Sequence, residues 1–324
     1  MKKIIAIIII LLIGIGICFW IKPKNNQLDE VKLAEVTHSL FYTPLYVAIE
    51  NGYFKDNGID LNLILTSGAD KVTAAVLSGD VQIGLAGPES AIYVYENGEK
   101  DYLVTFAGLT KRDGQFIVSR TKNEHFQMSD LYGKEVLVGR KGGMPALNFH
   151  NAIKNANIDR SKITINESID FASLTGTFIS GVGDYVNLFE PNATKLESEG
   201  LGYVVGSIGE LSGEMPYTAF YARKSYLEEN QEIAVRFQKA VQAGIDYVNE
   251  HSYQEIAEIL IHQFPDNSLS DIESIIKRYQ ENDSWLDTTI IEEELYKNLE
   301  DLMIDNQLLD EYVPFQDLVW NIHE

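Results

Sequence analysis

Beginning at Val31, one short unit recurs three times: an apolar strand, a loop of small and capping residues, and a helix. Val31 to Val36, Ile59 to Leu65 and Val81 to Ala86 read as the strands. The later ones pass into continuous apolar runs, as strands do when both faces are covered. A helix opening follows each: Thr43-Pro44 after the loop His38 to Tyr42, then Thr66-Ser67-Gly68, then Gly87-Pro88-Glu89-Ser90. Thr43 reads as a cap, Pro44 suits the first helical position, and Gly52 reads as the stop of that helix. Ser67 stands three residues before Asp70, a capping-box spacing, with Val72, Ala75 and Val76 on one face beyond it. This rhythm confines the chain to an α/β class with parallel strands and covering helices. In such sheets ligands bind outside the carboxyl ends of the strands, where helix N-termini offer N–H groups. The predicted edge holds Ser39, Ser67, Gly68, Ala69, Gly87 and Pro88, with Glu89 in the first turn of the third helix. Each glycine also has an ordinary turn role, and Glu89 also complements a helix dipole.

The 324 residues suffice for two lobes of ordinary size once the N-terminal segment is set aside. With 45% hydrophobic and 23% charged residues, the chain lies in the globular range. A net charge of -22 opposes nucleic acid, because phosphate recognition needs a basic footprint. One cysteine, Cys18, excludes an internal disulfide and any cysteine cluster for a metal. The six histidines, His38, His125, His150, His251, His262 and His323, include no pair at metal-ligand spacing, so neither a metal nor a cofactor is expected.

At the N-terminus, Lys2 and Lys3 precede 18 apolar positions from Ile4 to Ile21, and Lys22, Pro23 and Lys24 follow. This pattern is an export signal at the lower edge of bilayer-spanning length. Ile15-Gly16-Ile17-Cys18 resembles a lipoprotein box, with Ile17 where a small residue is usual, so Cys18 is either a lipid anchor or part of an uncleaved helix. Both alternatives put the globular part outside the cytoplasm, tethered to the membrane.

Further along, Glu135 to Gly139 reads as a strand, and Gly142-Gly143-Met144-Pro145 as a loop opening another helix whose N–H groups, at Gly143 and Met144, face a cleft. Ser173 to Gly181 reads as a helix and Tyr185 to Phe189 as a strand that carries Glu190-Pro191 toward the same cleft. Phe189 is either a platform for a planar ligand or core. Glu190 either accepts hydrogen bonds from an amino group of a ligand or caps the helix after Pro191. An oxoanion would instead use the helix N-termini with Arg140 or Lys141. From Glu229 onward the chain reads as helical, with Ile233, Phe237, Ala240, Val241 and Ile245 on one apolar stripe.

The run from His38 to Leu61, HSLFYTPLYVAIENGYFKDNGIDL, resembles the opening of nitrate/sulfonate/taurine-type and thiamine-pyrimidine-type ABC solute-binding proteins. Gly68 to Lys71 and Leu77 to Glu89 are similar to that family's next two ligand loops. Thr110 to Val118 and Pro216 to Phe220 look like its two interlobe crossings, and Phe189-Glu190-Pro191 like a cleft loop. The resemblance implies a two-lobed type II periplasmic-binding-protein fold with a ligand cleft between the lobes and two hinge crossings. Its parts would be 1–24 as signal or anchor, 31–112 plus 221–324 as lobe one, and 113–220 as lobe two. It also implies Tyr42 and Tyr217 as cleft residues, a small-molecule ligand, an ABC permease with its ATPase subunits as partners, and a monomer. Two other functions share this fold. A pyrimidine-precursor synthase would need histidine and cysteine equipment that the spacing does not offer, and a sensory ectodomain would need an effector that the 324 residues do not contain.

Overall fold

The computed structural model describes residues 28–321, so Cys18 and the N-terminal segment lie outside the described residues. Among the described residues ten strands are present: β1 (Asp29–Glu35), β2 (Ile59–Leu65), β3 (Ile83–Ala86), β4 (Leu103–Thr110), β5 (Gln115–Ser119), β6 (Glu135–Leu137), β7 (Thr164–Asn166), β8 (Tyr185–Phe189), β9 (Tyr203–Ser207) and β10 (Thr218–Arg223). They form two five-stranded sheets ordered β2-β1-β3-β10-β4 and β7-β6-β8-β5-β9.

Neither sheet is wholly parallel, which corrects the expectation. β1 runs parallel to β2 and β3, and β6 to β7 and β8. In contrast, β10 lies antiparallel to β3 and β4, and β5 antiparallel to β8 and β9. The reason is connectivity. Parallel strands deliver their carboxyl ends to the cleft, whereas a strand that arrives from the other sheet enters at the cleft and must run away from it. The crossings lie side by side: Tyr217 N donates to Thr110 O and Met215 N to Lys111 O, each at 2.9 Å, and the Thr110 and Thr218 hydroxyls are 2.6 Å apart.

The helix openings stand where expected, but two caps differ. Thr43 is already inside the helix Thr43–Glu50, and its hydroxyl donates to Leu40 O; Ser39 caps the preceding turn Leu40–Tyr42 instead, accepting from Phe41 N. Ser67 does not cap the helix Ala69–Ser78. Gly68 is its N-cap, in a left-handed φ of 112°. The helix expected from Ser173 to Gly181 is shorter, Leu174–Ile179, entered through a tight turn Phe171–Ser173.

After β10 the chain forms helices Gln231–Glu250, Leu269–Glu281 and Glu293–Asp305, among shorter ones. The first presents Ala234, Phe237, Ala240, Val241 and Ile245 to the core. Phe237 meets three rings, those of Phe54 and Phe220 at 5.1 Å and Phe106 at 5.7 Å, so one side chain ties the helix to the first sheet. On the same helix Gly244 lets the backbone of Thr43–Glu50 approach: a β-carbon there would lie 2.1 Å from Pro44 O. Gly244→Ala is therefore expected to lower stability by about 1–3 kcal/mol through overpacking, despite the better helix propensity of alanine. Urea denaturation checks it, and an unchanged or raised midpoint would contradict the close approach.

Candidate functional site: an aromatic cavity between the sheets

A cavity of about 570 Å³ lies between the sheets, lined by helix openings of both lobes. The first sheet contributes Tyr42, Ser67, Gly68, Ala69, Gly87 and Glu89, the second Gly143, Met144 and Phe189, and the return crossing Tyr217. Three expected residues do not line it. Pro88 stands behind, as N-cap of the helix Glu89–Glu96, with its carbonyl accepting from Ala91 N. Ser39 is buried, and its hydroxyl donates to Glu190 O at 2.5 Å, joining the lobes beside the cleft rather than facing it.

Glu190 is the third, and its helix-capping alternative is the one the geometry realises. Its side chain is fully buried and accepts from Thr194 N at 2.8 Å and the Thr194 hydroxyl at 2.9 Å, at the start of the helix Asn192–Ser198. It also pairs with Arg278, while its backbone N–H donates to the Tyr279 hydroxyl. Burial pushes the Glu190 carboxyl up, and the Arg278 charge and Thr194 donors pull it partly back. The carboxylate is thus committed to the junction between lobes.

Around the cavity the rings form a connected set. Phe41 touches Tyr42, Phe189, Tyr217 and Tyr279 at centroid distances of 5.2–5.8 Å, and Phe189 also meets Phe171 at 5.5 Å. Phe189 is therefore both core and lining. Gly114 makes the ring set possible at the first crossing, since a β-carbon there would stand 2.3 Å from the Phe41 ring. Sequence reasoning did not find Tyr93, whose hydroxyl donates to Gly142 O at 2.9 Å across the cleft. Its place four residues after Glu89, on the same helix face, was the available signal. Phe171 carried no signal of periodicity or motif.

Charges divide by depth. At the mouth, exposed Arg140 bridges Asp70 of the first lobe at 3.3 Å and Asp170 of the second, so it is held between carboxylates. Lys71 and Lys141 are also exposed there. Inside, Glu89 is 3% exposed and folds back over Gly87, where a β-carbon would lie 1.9 Å from Oε2. Burial pushes its carboxyl up to about 8, against the opposing pull of backbone N–H groups of Glu89, Met144 and Ser90. Oε2 has no hydrogen-bond partner. Tyr42 and Tyr217, buried beside it, are pushed well above the usual phenol range, first by burial. Asp113 at the first crossing gives one oxygen to Gln115 N at 2.6 Å, and burial raises its carboxyl too.

His38 does not reach the cavity. Nδ1 lies 3.0 Å from a Glu35 oxygen and Nε2 3.0 Å from Gln263 O, so both ring nitrogens face acceptors and the cationic form suits the site. Burial works against that charge, but Glu35 and the Gln263 carbonyl outweigh it and leave the ring raised. Among the described residues, no group of three or more His, Cys, Asp and Glu side chains is placed to hold a metal, and no helix is long and apolar enough to cross a membrane.

The sequence model of the NMT1/THI5-like family matches residues 41–254. YtlA of Bacillus subtilis (strain 168) is 41% identical over 297 residues, covering 91% of this chain and 89% of that one. A formylaminopyrimidine-binding protein of Halalkalibacterium halodurans is 21% identical over 254 residues, 74% of each chain. Among solved structures, the ligand-binding component of an ABC-type import system from Staphylococcus aureus superposes with a TM-score of 0.74 at 13% identity, covering 90% of this chain and 97% of that one.

Proposed function

The chain belongs to the NMT1/THI5-like family and has the two-lobed periplasmic-binding-protein fold, and on that premise we propose that it is the extracytoplasmic solute receptor of an ABC importer. The observation that carries this is the cavity of about 570 Å³, built from helix openings of both lobes and bounded by rings. Such a volume suits a small organic solute, and apolar walls with a few placed polar groups suit selective capture. Tyr93 on Gly142 and Arg140 on Asp70 join the lobes across the cleft, the kind of contact that a closed state makes and an open state releases. Closure around the solute would present a joined surface to the permease and its ATPase subunits. The N-terminal segment, through Cys18 or as an uncleaved helix, would tether the receptor to the membrane, and one copy of the chain supplies a complete cleft.

Capture without chemistry is preferred to a synthase because YtlA, 41% identical, is named for binding, whereas the 4-amino-5-hydroxymethyl-2-methylpyrimidine phosphate synthase of Candida albicans is 24% identical over 235 residues. Recognition would rest on Tyr42, Ser67, Gly68, Ala69, Gly87, Glu89, Gly143, Met144, Phe189 and Tyr217. The full-length protein, solubilised in detergent, is expected to release a co-purified small molecule in mass spectrometry, or to be stabilised by one in a solute screen. At a hundredfold excess over Kd the gain is about 2.7 kcal/mol, read as a raised Tm. A protein that carries no solute and responds to none in a screen spanning sulfonates, nitrate, polyamines, pyrimidines and riboflavin would defeat the receptor reading.

A further inference from the structure

We propose that Glu89 determines specificity by reserving the inner end of the cavity for a positively charged nitrogen, so that the solute is an organic cation of the ammonium, amidinium or protonated amino-heterocycle class. This rests on the receptor reading and narrows it.

The inner end is where the helices Glu89–Glu96 and Met144–Asn155 begin. Helix N-termini ordinarily receive anions, but here the backbone N–H groups of Ser90 and Met144 already face the Glu89 carboxyl. The protein's own carboxyl therefore fills the place that an oxoanion would take, and a sulfonate or nitrate entering there would meet like charge.

The carboxyl is also poised for a partner. Oε2 is buried and makes no hydrogen bond, in a residue that lines the cavity, and a buried carboxylate oxygen without a donor is costly until one arrives. Among the described residues with a shifted titration, those that feel its charge are tyrosines: Tyr93 on its own helix, Tyr42 after β1, Tyr217 at the crossing, Tyr221 on β10 and Tyr296 on the helix Glu293–Asp305. The groups that oppose its raised titration are backbone N–H groups and not lysine or arginine side chains. The cations Arg140, Lys71 and Lys141 are exposed at the mouth, with Arg140 held by Asp70 and Asp170. Ring faces complete the arrangement, since Tyr42, Tyr93, Phe189 and Tyr217 line the same cavity and attract cations through their π electrons. Gly87 is required by this placement, because a β-carbon would occupy the position of the carboxyl.

The test uses three probes of one shape, benzamidinium, neutral benzamide and benzenesulfonate, with Tm and calorimetric titration of the full-length protein in detergent. Benzamidinium is expected to stabilise the protein and the other two not. Its affinity should rise from pH 6 to pH 9, as the cation no longer competes with a proton for Glu89. Glu89→Gln, isosteric but uncharged, should weaken benzamidinium at least tenfold at pH 9 and remove the pH dependence. Failure of benzamidinium to act, or a Glu89→Gln variant that binds it within twofold of the parent, overturns the assignment. A response to benzamide or benzenesulfonate in that case leaves the receptor reading standing without it.

Discussion

Replacing Arg278 with methionine is expected to lower stability by about 3 kcal/mol at pH 8, the low end for removing one partner of a buried ion pair. The guanidinium reaches Glu190, whose side chain is fully buried, and lies 3.6 Å from Glu197 and 5.1 Å from the Phe116 ring centre. Methionine keeps much of the apolar stem and removes the charge. The Glu190 carboxyl, already raised by burial with Arg278 present, would then rise further. The sign follows: an acid whose folded pKa lies above its unfolded value loses stability as pH climbs from the unfolded value through the folded one. The deficit of the variant should accordingly be large at pH 8 and small near pH 4.5. Urea denaturation at the two pH values measures it, and Arg278→Met combined with Glu190→Gln should recover most of the loss at pH 8. Equal deficits at both pH values would refute the buried-charge account. The lesion falls on the interlobe junction, where Ser39 holds Glu190 O and Tyr279 bonds both Glu190 N and Gly114 O.

Glu89→Gln should move stability the other way in the solute-free protein. A carboxyl held at about 8 instead of 4.5 burdens the folded state by roughly 5 kcal/mol once it ionises, at 1.36 kcal/mol per pKa unit. Stability of the parent is full below pH 4.5 and is lost as pH rises through about 8, and an amide does not titrate. The variant is thus expected to gain little at pH 4.5 and several kcal/mol at pH 9, short of the full figure because the amide must itself be buried. Solute-free urea curves at the two pH values provide the check. A destabilised variant at pH 9 would mean that the backbone N–H groups facing the carboxylate outweigh its burial. Strain of this kind, relieved by substitution at the expense of binding, is the usual relation between stability and function.

The cleft wall of the first lobe was legible because each strand there is followed at once by turn and capping residues. Gly68 and Gly87 could be placed from local pattern alone, Tyr42 through the family resemblance, and β2 and β8 appear with the bounds that their flanking Gly58 and Pro191 imply. What escaped was set by distance along the chain. Arg278 meets Glu190 across 88 positions, and Trp285 donates to Phe41 O across 244, pairings that no periodicity announces. Glu190 was legible as a carboxylate near the cleft but not in its direction, which depends on Arg278. Asp70 was misassigned to a capping box with Ser67 because its spacing fits one, whereas Arg140 from the other lobe engages it. The antiparallel sense of β5 and β10 was hidden for a related reason, since strand composition does not report the end from which a strand is entered.

The insertion of β10 between β3 and β4 governs the order in which the molecule can be assembled. A chain emerging N-terminus first presents β3 and β4 long before Thr218, so the first sheet waits with a gap between them and two unpaired edges. The second sheet, whose strands all lie between Gln115 and Ser207, has no such wait and can form as soon as its own residues are available. The lobe that begins later in the sequence would then fold earlier in time. Until the return strand arrives, the unfilled gap is the place where a newly made chain is most exposed to pairing with another copy.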